Sequence, residues 1–296
     1  MNQPDKPTWS ATAFTGLMVA TLTPFDPSNR LDRGVIYDHT QFLIGSGVTG
    51  LCPAGTTGEF FYLSGSEKRD LILATVKAAA GICPVIAGIW DRELGEIARL
   101  AQFSEECGAD AVFLPPPIYY PAGDDAVVQY YAMVRASTSL PVFCYNIPAY
   151  ASNAISLPAL DRLVEAGTVA GIKDSTGQRD RMLDLITRYG KTITVLAASD
   201  GFAGESRELG AAGFISALAN IVPTVFVELW NGEKDMQAAI KILREAVKRA
   251  GGIPALKYLA GLQGIQFGES RLPLSQISSE NMALLENAYR AVSELV

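Results

Sequence analysis

Val169-Ala170-Gly171-Ile172-Lys173-Asp174 reads as a short strand buried on both faces. The run of small apolar residues follows Gly167-Thr168 and is closed by polar Asp174-Ser175-Thr176-Gly177. Lys173 sits at its C-terminal end. Lys68, Lys77, Lys191, Lys241 and Lys248 lie in polar or helical surroundings and are expected to reach water. Lys173 follows directly on apolar residues, so its amine is expected to start inside the fold. Burial disfavours the ammonium form and pulls its pKa down. A neutral amine attacks carbonyl carbon and gives a Schiff base. The alternative is a stem in the core with its head turned out to a carboxylate such as Asp174.

The same strand-then-helix unit recurs on both sides. Strands are expected at 16–21, 50–54, 84–89, 111–114, 141–145, 169–173, 194–198 and 213–217. Helices are expected at 34–44 (capped by Asp32), 66–80, 93–107, 124–137, 157–165, 178–189 and 202–209, with Pro223 opening the eighth. Each unit is near the minimum length for a parallel crossover. Eight such units point to a closed (β/α)8 TIM barrel. An open doubly wound sheet is the alternative, but it would normally carry a G-x-G-x-x-G fingerprint, which is absent. Beyond residue 231 the pattern is purely helical, at 234–250, 254–266 and 279–295. The reading is a barrel over residues 1–231 and a C-terminal helical extension, 232–296, packed on it. Residues 1 to about 13 read as a loose arm.

Apolar residues make up 49% of the 296, enough for one large core. The net charge of −7 gives no support for nucleic acid or an anionic membrane as partner. Cys52, Cys83, Cys107 and Cys144 are too widely spaced for a C-x-x-C pair and fit reduced thiols. No signal pattern opens the chain, and the apolar runs are too short for a membrane span. A soluble cytoplasmic protein is expected.

In such a barrel, chemistry sits at the C-terminal strand ends. Thr21, Thr56, Thr57, Glu59, Tyr119, Tyr120, Tyr145, Asn146, Lys173, Ser199, Asp200 and Asn220 fall at or just past those ends. Carbonyl chemistry at an amine needs a nucleophile, here Lys173, and a group that moves protons at the carbinolamine oxygen. Tyr145, on the neighbouring strand, is in place for that. Thr57 and a second tyrosine could carry the proton onward. Gly55-Thr56-Thr57-Gly58 can aim backbone N–H groups at a substrate carboxylate, or be a plain strand-to-helix turn. Ser175 and Asp200 are further candidates for substrate contact. The single histidine, His39, is expected to be a partly exposed helix residue. Cys144 should point away from Tyr145 by strand alternation. No metal-ligand or phosphate-loop motif occurs, so neither a metal nor a cofactor is expected.

Gly55-Thr56-Thr57-Gly58-Glu59, Tyr145-Asn146-Ile147-Pro148 and Gly171-Ile172-Lys173-Asp174 resemble, in order and spacing, the signatures of the dihydrodipicolinate synthase / N-acetylneuraminate lyase family. The resemblance runs from Gly16 to the C-terminal helices. It implies a (β/α)8 class I aldolase, a homotetramer or dimer, that takes up or releases pyruvate through a covalent imine. It implies Lys173 as the Schiff-base lysine and Tyr145 as the proton-handling phenol. Thr56 and Thr57 match the pair that holds the pyruvate carboxylate and bonds the tyrosine. Tyr119 matches the tyrosine donated to a neighbouring subunit's proton relay.

The departures bear on the second substrate. Where family synthases carry an arginine for the carboxylate of aspartate semialdehyde, this chain has Tyr150, and a guanidinium fork is lost. Sialate lyases carry Asp-Glu after strand seven; here it is Asp200-Gly201. The histidine and asparagine that hold regulatory lysine are missing around Gly65 and Arg92. Residues 216–220 and 252–257 are more similar to the 4-hydroxy-2-oxoglutarate and 2-keto-3-deoxy sugar acid aldolases. The expected substrate is therefore pyruvate with a small aldehyde, or the 2-keto-4-hydroxy acid that yields them. The alternatives are 4-hydroxy-tetrahydrodipicolinate synthase and a barrel that binds a keto acid without turnover.

Overall fold

A computed structural model describes residues 14–232, 236–274 and 276–294. The arm expected over 1–13 lies outside the described residues. Among the described residues there are eight strands: β1 (Gly16–Val19), β2 (Gly50–Leu51), β3 (Ile86–Gly88), β4 (Ala111–Leu114), β5 (Val142–Asn146), β6 (Gly171–Asp174), β7 (Thr194–Ala197) and β8 (Gly213–Ser216). All pair in parallel in the order β2-β1-β8-β7-β6-β5-β4-β3. A parallel bridge between Leu51 and Val85 joins the two ends, so the sheet closes on itself. The TIM barrel is thereby established, and the open-sheet alternative falls away. At the closing seam, a Cβ on Gly88 would lie 2.2 Å from the Ala54 carbonyl oxygen, so only glycine lets the third strand come this close to the turn after the second.

Between the strands run α1 (Arg33–Gly45), α2 (Gly65–Ala79), α3 (Leu94–Cys107), α4 (Asp124–Arg135), the short α5 (Pro148–Ala151), α6 (Leu157–Glu165), α7 (Arg179–Tyr189), α8 (Ala203–Glu208) and α9 (Pro223–Asn231). Asp32 caps α1 by accepting from the Gly34 and Val35 amides, as its sequence position implied. Ser64 and Glu67 close a reciprocal capping box on α2, two residues earlier than the start expected at Ser66. Short 3-10 turns at Phe60–Tyr62, Asp200–Phe202 and Leu218–Asn220, together with α5, were not anticipated; each is too short to show a hydrophobic period. The extension comprises α10 (Met236–Arg249), α11 (Ile253–Leu262) and α12 (Ser279–Ser293). Its inward residues Ile240, Leu243, Leu256, Leu259 and Leu285 join the same core as the barrel wall. Among the described residues, no helix is long and apolar enough to cross a membrane.

Alternation divides the barrel strands between two cores. Outward residues such as Val19, Val112, Cys144, Ile172 and Val195 meet the helices. Inward residues, among them Met18, Ile86, Phe113, Phe143, Tyr145, Leu196 and Ile215, fill the ring. Cys144 and Tyr145 therefore face opposite ways, as expected. Phe14 lies across the N-terminal end of the ring, its ring edge-on to Phe143 at 5.2 Å between centroids. The Phe143 ring in turn fills the space beside Gly171, where a Cβ would come within 2.2 Å of it. One step along β6 the chain presents Lys173, above this packed floor.

Candidate active site

Lys173 pairs in register with Tyr145 on β5 and Leu196 on β7, all three on inward positions. Its residue is 4% exposed. The amine lies 4.0 Å from the centre of the Tyr145 ring and 5.3 Å from that of Phe113, where it meets the electron-rich ring faces. Asp174 does not meet it. That carboxylate faces outward, bonded by Arg181 Nε at 2.7 Å, Asn146 Nδ2 at 2.7 Å, the Thr176 amide at 3.0 Å and the Thr176 hydroxyl. The reading of Lys173 as a lysine reaching out to Asp174 is thus excluded by the pleat itself.

Two other lysines are buried, and the comparison is informative. Lys68, expected to reach water, is 2% exposed. Its Nζ donates to Asp91 Oδ2 and to the Trp90 carbonyl, both at 2.8 Å. Lys257, on α11, is 5% exposed and pairs with Glu59 at 2.6 Å. Each of these ammonium groups has a carboxylate. Among the described residues, no carboxylate lies within ion-pair distance of Lys173. A buried amine without a counter-charge is an expensive structural element and a useful chemical one.

The turn after β2 reaches over this amine. Gly55 rests on the Phe113 ring, which a Cβ there would touch at 3.0 Å. The Thr56 hydroxyl stands 3.2 Å from the Tyr145 hydroxyl. The partner of Tyr145 is thus Thr56, and the onward step expected of Thr57 shifts by one residue. Thr57 is itself buried. Within the turn, Gly58 N–H donates to Gly55 O at 3.0 Å and Glu59 N–H to Thr56 O at 3.1 Å.

The remaining candidates have the following surroundings. Tyr119 is 77% exposed, in a left-handed conformation at φ +85°, its ring edge-on to Tyr120. Tyr150 is 72% exposed on α5. Ser175 continues the strand pairing, its amide donating to Asn146 O at 2.9 Å. The carboxylate of Asp200 is turned onto the end of β8, accepting from Ser216 Oγ at 2.6 Å and the Leu218 amide at 3.3 Å. Burial holds its carboxyl above the usual carboxylate range. These contacts point Asp200 at the scaffold rather than at a ligand.

His39 differs from expectation: it is fully buried on the inner face of α1, against Phe267. Its Nε2 lies 2.9 Å from Asn220 Oδ1. Since that oxygen also accepts from the Leu22 amide, Nε2 is the donor and the ring is the Nε2–H tautomer. Burial lowers the His39 pKa to about 4. Asn220 also donates to the Ala20 and Ala217 carbonyls, so it laces the end of β8 to the segment after β1. No sequence signal tied His39 to Asn220, which lie 181 residues apart.

The model of the dihydrodipicolinate synthetase family matches residues 13–292. A DapA-like lyase of Halobacterium salinarum is 33% identical over 279 residues, covering 92% of this chain and 91% of the relative. A 4-hydroxy-tetrahydrodipicolinate synthase of Roseobacter denitrificans is 31% identical over 285 residues, covering 94% and 98%. Among solved structures, dihydrodipicolinate synthase from Aquifex aeolicus superposes with a TM-score of 0.89 at 26% identity, over 95% of this chain and 98% of that one. A Clostridium difficile protein, CdNal, solved in complex with mannosamine, shares the fold with a TM-score of 0.88 at 23% identity, over 94% and 98%.

Proposed function

From the premise that this chain belongs to the dihydrodipicolinate synthetase family, and is a lyase of the class I aldolase kind, we propose that it makes or breaks a carbon–carbon bond between pyruvate and a small aldehyde, with Lys173 as the covalent centre. One observation carries the reading: Lys173 is buried with no carboxylate partner among the described residues, beside a tyrosine whose hydroxyl is bonded to Thr56.

In the cleavage direction Lys173 Nζ adds to the keto carbon of a 2-keto-4-hydroxy acid, and loss of water gives the protonated imine. The C3–C4 bond breaks, its electron pair moves toward the iminium nitrogen, and the C4 hydroxyl proton passes to Tyr145. The aldehyde leaves. The enamine takes a proton at C3, and water hydrolyses the imine to free pyruvate and the amine. The imine is the electron sink, so the cycle calls for no metal or cofactor. Thr56 bonds the phenol that moves the proton. The amides of Thr56 and Thr57 and the Thr57 hydroxyl hold the carboxylate. Tyr119, exposed on its own chain, completes the relay of a neighbouring subunit in a homotetramer or dimer. The four free thiols are in keeping with work in the cytoplasm.

For the aldehyde, the reading is a 2-keto-4-hydroxy acid or 2-keto-3-deoxy sugar acid partner. Tyr150 offers no charge to a second carboxylate. Arg181, beside the sixth strand end, is taken by Asp174 and by the Ile155 carbonyl at 2.8 Å. The names of the synthase relatives favour a second reading, condensation with aspartate semialdehyde. Borohydride added with pyruvate tests the shared chemistry: an irreversible mass gain on Lys173 is expected, and its absence removes the aldolase assignment. A panel of 4-hydroxy-2-oxoglutarate, 2-keto-3-deoxygluconate and pyruvate with aspartate semialdehyde separates the two. Fastest turnover of the semialdehyde overturns the first reading.

A further inference from the structure

Glu59 closes the Gly55–Glu59 turn, yet its side chain does not look toward the amine. It is fully buried and directed into the junction with the C-terminal extension. One carboxylate oxygen meets Lys257 Nζ of α11 at 2.6 Å. The other accepts the Arg271 amide at 2.9 Å, beyond the end of that helix. Lys257 and Arg271 lie over the same ring, Phe25, at 4.4 and 4.3 Å from its centre. The Arg271 guanidinium then reaches to the Tyr62 carbonyl just past the turn, to Glu67 in the first turn of α2 and to Asn29 in the loop after β1.

Glu59 also takes φ +58°, a left-handed conformation that a residue with a Cβ holds only where its surroundings impose it. Its own amide donates to Thr56 O, so the twist at Glu59 is transmitted directly to the residue whose hydroxyl meets Tyr145. Nothing in the chemistry of imine formation needs a buried carboxylate at this point. Its position is explained if it is the fastening of the turn.

We infer that Glu59, Lys257 and Arg271 are positioning residues: the C-terminal extension clamps the carboxylate-holding turn over Lys173 through a buried ion pair. The inference rests on the aldolase reading for its kinetic consequence and on geometry alone for its structural one. The clamp acts on the turn, so it should govern how well pyruvate is held more than whether Lys173 can react. The extension thereby becomes part of the site although none of its side chains touches substrate.

The full-length Lys257→Met variant tests this by two readouts. Hydrogen exchange of the amides at 56–59 should quicken by about tenfold or more, since the turn loses its anchor. Half-saturation by pyruvate in borohydride trapping should rise by about tenfold or more, with Lys173 still trapped at saturation, which is the pattern of lost binding rather than lost chemistry. A role in stability alone would lower the melting temperature and leave both readouts unmoved; that result, in a folded variant, overturns the inference. Lys257→Met leaves a buried carboxylate unpaired and can fail to fold for that reason. The double variant Glu59→Gln/Lys257→Met leaves no charge behind, loses the same ion pair and is judged by the same two readouts. If the wild-type protein is never trapped with pyruvate, the aldolase reading falls, while the exchange measurement still decides the clamp.

Discussion

Lys68, Lys173 and Lys257 set out two treatments of one buried side chain. Two are given a carboxylate, and the third is surrounded by aromatic faces. Removing a partner from either of the first two leaves an uncompensated charge, whereas Lys173 has ring faces beside it and, on the proposed chemistry, bonds covalently to its substrate. The same neighbourhood fixes what its helpers do. Tyr145→Phe keeps the ring beside the amine and removes only the hydroxyl, so turnover should fall by about 10²–10⁴ while trapping of pyruvate survives. Thr56→Val should fall in the same direction by a smaller factor, about tenfold, since it removes the partner of that hydroxyl and not the proton carrier. Steady-state rates on the best panel substrate, beside trapping yields, check both. Lys173 and Tyr145 were legible in the sequence because each closes a short apolar run, and neighbouring parallel strands must bring such ends together. Lys68 was not: its helix looked amphipathic, and nothing local announces that Asp91, from the next unit, lies within reach. The choice of Thr56 over Thr57 was equally hidden, since adjacent residues in a tight turn are separated only by backbone angles.

At the scale of elements, the barrel was readable because eight strands buried on both faces leave continuous apolar runs at regular spacing. What escaped were pieces too short to show a period, such as α5, and the contacts between elements distant in sequence. The His39–Asn220 bond between α1 and the turn after β8 is the clearest case. It has a measurable consequence. A histidine whose pKa falls from 6.5 to about 4 on folding stays neutral in the native state while the unfolded chain takes up a proton. The unfolded state binds more protons between these values. The stability contributed is therefore present above the unfolded pKa and is lost as pH falls through that window. His39→Gln retains a donor for Asn220 and has no such titration. Urea midpoints at pH 7 and at about pH 4.5 should show the parent losing about 2 kcal/mol more than the variant. Equal losses would mean that the ring already titrates in the folded protein.

At the scale of the whole molecule, Tyr119 is exposed on its own chain while Lys173 is buried, and the proposed relay between subunits yields a direct test. Lys173→Ala and Tyr119→Phe should each be nearly inactive alone. When the two are mixed and allowed to exchange subunits, a site with lysine from one chain and tyrosine from its neighbour is restored, and activity should return to about a quarter of that of the parent for a randomly exchanging dimer. No recovery despite demonstrated exchange would place the relay within a single chain. The floor of the ring has a consequence of another kind. With Phe14 and Phe143 packed across the far end of the ring, the proposed site can be entered only from the rim of strand ends, as a well and not a tunnel. Molecules that must stack in a well obey a queue: on the proposed chemistry, the three-carbon acid goes down before the aldehyde and comes up only after it. In the cleavage direction, pyruvate added as a product should therefore compete with the keto acid for the free enzyme, while added aldehyde should lower the maximal rate, because it meets only enzyme already carrying the enamine.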